Sequence, residues 1–232
     1  MAFLSTNSCG VSDNSEGYGL SDLSTLLGLG VPQRRRVFFS FHYQNDIWRV
    51  NQIRNSWRYQ KEDRRISEGF YDASIWETSQ RKGSDSLKAL IREGIKNSSV
   101  TAILVGSRTF ERRWVRYEIA RSVIKGNGLL AVKVHRMANQ QGYVAHEGPN
   151  PLDYMGLYST GGSIRLAELQ NGKWIAYSDY TQSVTPPETW AKPWDTNVIK
   201  LSTYAGLYCY KTHNGSTNFP SWVRQAAADV GR

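Results

Sequence analysis

Cysteine is nearly absent: Cys9 and Cys209 are the only two in 232 residues. A pair so widely separated builds neither a disulfide framework nor a cysteine zinc site, and a reducing, cytoplasmic setting is expected. Four histidines are scattered rather than clustered, so no metal site is expected. No apolar run approaches the roughly 18 residues that a membrane span needs, and the opening MAFLSTNSCGVSDNSEGYGL has no basic segment followed by an apolar one. The chain therefore reads as having neither signal peptide nor membrane anchor. A Walker A loop, a GxGxxG turn after a strand, HExxH and GxSxG are all missing, which argues against the commonest nucleotide-binding, zinc and serine-hydrolase chemistries.

What is present is a globular composition, 40% hydrophobic and 21% charged, with eight Trp and thirteen Tyr. That is enough for one well-filled domain with an extension at each end. The formal charge of +9 favours an anionic partner. Much of it lies in short runs, Arg34-Arg35-Arg36, Lys61 to Arg65 and Arg112 to Arg116, which commonly form solvated faces. Nucleic acid is not the expected partner, because neither an RRM signature nor a helix-turn-helix is recognisable.

Residues 1–33 are rich in Ser, Gly, Asn and Asp and read as a mobile extension with one short helix around Leu20 to Leu29. Order begins near residue 34. Val37-Phe38-Phe39-Ser40-Phe41 has strand length and β-branched and aromatic content, and Asp46 to Trp57 places apolar residues on a helical face. Ile66 to Ile75 is a weaker strand candidate. Ser84 or Asp85 is placed to cap a helix with Leu87, Leu90, Ile91 and Ile95 on its apolar face. Ser99 to Gly106 reads as a central strand buried on both faces. Trp114 to Lys125 is the next helix, stopped by Gly126-Asn127-Gly128, and Leu129 to His135 the next strand. Beyond Met137 the pattern weakens, apart from a short apolar piece at Lys173 to Tyr177 and a last helix opening at Phe219. Strands alternating with helices give an α/β fold with a central parallel sheet covered on both faces, and ligands belong beyond the carboxyl ends of its strands.

Three pieces in this order, Phe39-Ser40-Phe41-His42-Tyr43 with Asp46, Ser98 to Gly106, and Trp114-Val115-Arg116-Tyr117-Glu118-Ile119, resemble the TIR superfamily. There the first strand ends in Ser-aromatic, and the helix after the third strand opens with Trp-x-x-x-Glu. The likeness is closest to bacterial TIR-like sensor subunits of the Thoeris anti-phage system. It covers residues 34–145 as a catalytic domain with a flavodoxin-like TIR fold, and leaves 146–232 as a C-terminal extension packed on it. The resemblance implies an NAD nucleosidase or ADP-ribosyl cyclase, with NAD as substrate and no separate cofactor. It further implies homo-oligomerisation on activation, a phage-derived trigger, and a downstream effector reached through a nucleotide signal such as a cyclic ADP-ribose isomer.

By that likeness Glu118 is the catalytic carboxylate. Departure of nicotinamide leaves an oxocarbenium-like ribose, which a nearby carboxylate stabilises. Spacing alone is equally satisfied by an exposed Glu118 paired with Arg121 along the same helix face. Trp114, one turn earlier, is either a pocket wall or a core anchor. Phe41, His42 and Tyr43 follow the first strand, where family members contact the nucleotide; His42 is either a base or phosphate contact or a structural residue. Asp46 is a substrate-binding candidate whose simpler role is capping the first helix. Trp76, Arg81 and Lys82 sit in the loop that flanks the NAD site in the family, where a basic tip either meets a pyrophosphate or is merely solvated. The alternative function is a non-catalytic TIR adaptor that acts by protein–protein assembly. A receiver domain of similar architecture would need an Asp after the third strand, and Val105-Gly106-Ser107 has none.

Overall fold

The apolar runs Val37–Phe41 and Val100–Val105 become strands because short β-branched and aromatic segments pack well on a pleated surface covered from both sides. The computed structural model describes residues 35–59, 67–68, 83–195 and 197–232. In chain order they hold β1 (Val37–Phe41), α1 (Tyr43–Tyr59), β2 (Ser67–Glu68), α2 (Ser84–Lys96), β3 (Val100–Val105), α3 (Arg113–Lys125), β4 (Gly128–Lys133), β5 (Met155–Thr160), β6 (Ser163–Gln170), β7 (Lys173–Ala176), β8 (Ile199–Lys200), β9 (Ala205–Cys209) and α4 (Gly215–Ala228). The extension 1–33, most of the strand expected at Ile66–Ile75, and the loop residues Trp76, Arg81 and Lys82 lie outside the described residues.

β2, β1, β3, β4 and β9 form a five-stranded sheet in that order, every neighbouring pair parallel. This is the flavodoxin-like order expected of the fold. Its fifth strand comes from residues 205–209, which pair Leu129 with Ala205 through Lys133 with Cys209. The C-terminal region is therefore not an extension laid on a finished sheet: it supplies one strand and one helix. Without β9 the long apolar β4 would be an open edge.

Side chains alternate across the sheet and separate two cores. On one face Val37, Phe39, Val100, Ala102, Leu104, Leu130 and Val132 meet Val50 and Ile53 of α1 and Phe219, Trp222 and Val223 of α4. On the other, Phe38 meets Leu87, Ile91 and Ile95 of α2 and Tyr117 of α3. Each such buried side chain contributes roughly 1.5–3 kcal/mol through apolar burial. α2 starts at Ser84 itself, with Gly83 at its N-cap and no side-chain cap, so neither Ser84 nor Asp85 caps it. α3 ends where expected, at Gly126 in the left-handed conformation (φ 73°).

Between β4 and β9 the chain builds a second, antiparallel sheet ordered β7-β6-β5-β8. Its hairpins turn through residue pairs with positive φ, Gly161-Gly162 and Asn171-Gly172, as two-residue hairpins require. Leu152, Met155, Leu157, Leu166, Tyr177 and Trp190 share a core with Val115, Ile119, Ala120 and Val123 of α3. α3 is thus enclosed by the parallel sheet on one side and this insertion on the other, and residues 35–232 pack as one unit.

Candidate functional site

Strand parity builds the site. Phe38, Ser40 and His42 occupy alternate positions, so all three lie on the α3 side of β1 and its continuation. The first meets Tyr117 in the α2–α3 core. The second donates its hydroxyl to Glu118 Oε2 at 2.6 Å. The third feels the charge of Arg112, the N-cap of α3. Three layers thus run from the interior to the carboxyl end of the sheet.

Glu118 is only 6% exposed. Burial pushes its carboxyl up to about 8, against the opposing pull of the Ser40 hydrogen bond. A carboxylate with one neutral donor in a low-dielectric site holds a proton rather than a charge. Arg121, the partner that spacing allowed, instead lies over the Tyr180 ring at 5.9 Å. The exposed-pair alternative for Glu118 is thereby removed.

A polar chain fixes the rotation of α3 that aims Glu118 at β1. Ser122 Oγ donates to the Glu118 carbonyl at 2.7 Å and lies 2.7 Å from Thr101 Oγ1 on β3. Asn127 Nδ2 then donates to Thr101 Oγ1 at 3.3 Å and to Ser98 Oγ at 2.8 Å. All four side chains are buried, so each hydrogen bond resists slippage of the helix, since breaking one strands a buried polar group at a cost of about 1–3 kcal/mol.

The strand order reverses at β1 and β3, and open α/β sheets bind ligands in the crevice beyond such a switch. His42 lies there, buried, with Nδ1 lacking a hydrogen-bond partner among the described residues. Its pKa is pushed down to about 4 by burial and then by the charges of Arg112 and Arg108. Asp46 is not a cap: it sits inside the first turn of α1, where its Oδ1 accepts from Arg49 at 3.0 Å. Its carboxylate presses on Gly106, where a Cβ would come within 2.0 Å of Oδ2. Gly148 closes the β4 side of the crevice, since a Cβ there would meet the Gly106 carbonyl at 2.2 Å.

The remaining candidates divide. Trp114 is half-buried against the α2–α3 core, edge-on to Tyr117 at 6.1 Å and beneath the Arg113 guanidinium at 5.1 Å. It is a core anchor on the same side of α3 as Glu118. Phe41 falls on the opposite face by parity and packs with the α1–α4 core, its ring 6.2 Å from Tyr43. The structure therefore does not bring Phe41 to Glu118. Tyr43 opens α1 and is half-buried. Among the described residues no group of three or more His, Cys, Asp or Glu side chains is placed to hold a metal ion. No described helix is long and apolar enough to cross a membrane.

Sequence reasoning left four contributors out of the site. Ser40 enters the sequence reading only as the Ser of a Ser-aromatic strand end, although a lone hydroxyl in the run VFFSF is a signal. Arg112 reads in sequence as part of the solvated run Arg112 to Arg116, and Arg108 stands outside any run. Asp179 offered no signal at all. It accepts from Arg113 through both oxygens, at 2.9 and 2.7 Å, and pairs with Lys88 of α2 at 2.8 Å, tying the insertion to both helices.

With this geometry in hand, two comparisons fit. The family described as "Thoeris protein ThsB, TIR-like domain" matches residues 38–139, which include Ser40, His42, Arg112 and Glu118. A protein of Bacillus cereus (strain MSX-D12) named "Putative cyclic ADP-D-ribose synthase ThsB1" is 40% identical over 195 residues, 82% of this chain and 98% of that protein. A likeness of that depth over nearly the whole relative, on this sheet order, shows that the chain belongs to the ThsB family of TIR-like Thoeris proteins.

Proposed function

We propose that the protein cleaves the nicotinamide–ribose bond of NAD and joins the resulting ADP-ribosyl group to itself, giving a cyclic ADP-ribose isomer that signals in anti-phage defence. The observation that carries the reading is the buried Ser40–Glu118 pair beside the β1–β3 crevice. Family membership and the relative's printed name support the substrate and the product class.

In the bond-breaking step the electron pair of the C–N bond goes to the nicotinamide nitrogen, neutralising its charge, and positive charge develops on the ribose. Glu118 acts on that charge. In the free protein its carboxyl is held protonated by burial. The cationic nicotinamide ribosyl group favours the ionised form, and a carboxylate in a water-poor site stabilises a developing cation far more than one in water does. An internal nucleophile of the same ADP-ribosyl group then forms the new bond to the ribose carbon and releases a proton; water in its place gives ADP-ribose. On this reading the protein assembles on activation by a phage-derived trigger, and the product reaches a separate effector.

The test is mass analysis of nucleotides formed from NAD by wild type and Glu118→Gln, using purified protein and infected cells. A cyclic product from wild type alone is expected. Equal absence of NAD loss in both proteins under both conditions would favour the adaptor reading.

A further inference from the structure

We propose that His42, Arg108 and Arg112 form a diphosphate-binding site at the mouth of the β1–β3 crevice, and that Glu111 occupies its arginines until a diphosphate displaces it. The proposal rests on the NAD reading only for which diphosphate is natural; the site itself follows from three features of the mouth.

The first is unmet hydrogen bonding. His42 is 7% exposed, yet among the described residues Nδ1 has no hydrogen-bond partner, and Arg112 Nε, on a residue whose charge acts on His42, is also buried without one. An unsatisfied buried polar group costs about 1–3 kcal/mol, so two of them together mark a place where an acceptor belongs. His42 is held neutral there, and a neutral imidazole can offer one N–H without bringing a third positive charge.

The second is uncompensated charge. Arg108 and Arg112 share one acid: Arg108 Nε donates to Glu111 Oε2 at 2.8 Å, and Arg112 reaches the same oxygen at only 3.8 Å. Two guanidinium groups on one carboxylate leave the cluster net positive. These pairs are solvent-exposed and worth about 0–1 kcal/mol, so a doubly charged, multidentate ligand can exchange with Glu111. Asp46 is paired through Oδ1 with Arg49 and not with Arg108 or Arg112.

The third is position. His42 stands two strand positions beyond Ser40, roughly 6.6 Å along the chain at a strand's rise. That span is comparable to the reach from a ribose anomeric carbon to its own phosphate. A diphosphate at His42 and Arg112 therefore leaves a ribose one layer in, beside Glu118.

Titration calorimetry on the full chain at fixed ionic strength tests this with ADP, inorganic pyrophosphate and adenosine. ADP and pyrophosphate should bind and compete with each other, and adenosine should bind at least ten-fold more weakly than ADP. Arg112→Gln should weaken ADP at least ten-fold, and Glu111→Gln should tighten it several-fold, a gain that no misfolded variant produces. If ADP does not bind wild type, if adenosine matches it, or if Glu111→Gln weakens it, the site does not exist as described. Pyrophosphate binding without an advantage for ADP would assign the site to free phosphates and overturn its place beside the ribose. ADP carries no nicotinamide, so its binding stands or falls apart from NAD cleavage.

Discussion

Glu118 and Asp179 are two acids set against the same helix, and their surroundings drive them in opposite directions. Glu118, on α3 itself, has one neutral hydroxyl for company, and burial lifts its pKa to about 8. Asp179, in the insertion, is also largely buried, but the Arg113 hydrogen bonds and then the Lys88 bond take its pKa down to about 2. Burial with cations makes an anchor; burial without them makes an acid of adjustable charge. Carboxyl groups whose environments push their pKa values apart usually divide labour in this way, one for chemistry and one for structure.

The largest effect should come from removing the adjustable acid. Glu118→Gln keeps the shape and an acceptor for Ser40, and NAD consumption should fall at least ~100-fold, in the range seen when a group facing developing charge is lost. Retention of more than a tenth of wild-type turnover would mean that Glu118 is not the catalytic carboxylate. The same variant should be more stable than wild type. Folded Glu118 keeps a proton that the unfolded chain loses above pH 4.5, so wild-type stability declines as pH rises from there to about 8. At ~1.4 kcal/mol per pH unit, the advantage of Glu118→Gln should reach a few kcal/mol near pH 8 and vanish near pH 4. Thermal melts across that range would decide it, and a flat difference would place the carboxyl in water.

Ser40→Ala should have a smaller and more specific consequence. The Ser40 bond is what restrains the Glu118 pKa, so its loss moves the acid limb of the pH–rate profile upward. Near neutral pH this should lower kcat by roughly ten-fold, about 1.4 kcal/mol in the barrier, with much of the deficit recovered at higher pH. An unshifted limb with a uniformly lower rate would make Ser40 a packing residue only.

Strong periodicity made the parallel half of the protein legible, and weak periodicity hid the rest. β3 is six consecutive buried apolar or hydroxyl residues, and α2 places Leu87, Ile91 and Ile95 on one face; neither pattern has a rival conformation. The insertion escaped because its strands pack one face against α3 and leave the other wet, so Lys173–Ala176 presents few buried side chains of its own. Its Asn171-Gly172 turn was nonetheless a readable hairpin signal. α4 begins at Gly215, ahead of the expected Phe219, and carries Pro220 inside it. Phe41 was misplaced for a simpler reason: adjacency in sequence to Ser40 means opposite faces in a strand. The 195-residue match to the relative is longer than the span up to residue 145, so the likeness extends into the region where β9 and the insertion lie.

Asp179 gives the smallest expected effect and the sharpest control. It lies outside the family match at 38–139, yet Arg113, which it holds, covers Trp114 at 5.1 Å, and Lys88 lies over the Tyr117 ring at 5.5 Å. Asp179→Asn removes the charge that fixes both cations on the rings of Trp114, one turn before Glu118, and Tyr117, immediately before it. Arg113 is more than half exposed, so solvent screening limits the cost to about 1 kcal/mol. The sign with pH is opposite to that of Glu118: a depressed carboxyl adds stability above its ordinary value of 3.8 and loses it as pH falls towards about 2. Both variants should therefore converge on wild type in acid and part from it in opposite directions as pH rises, Asp179→Asn becoming less stable than wild type and Glu118→Gln more stable. A shift of the same sign in both variants near neutral pH would mean that the two acids share one environment and that α3 does not divide them.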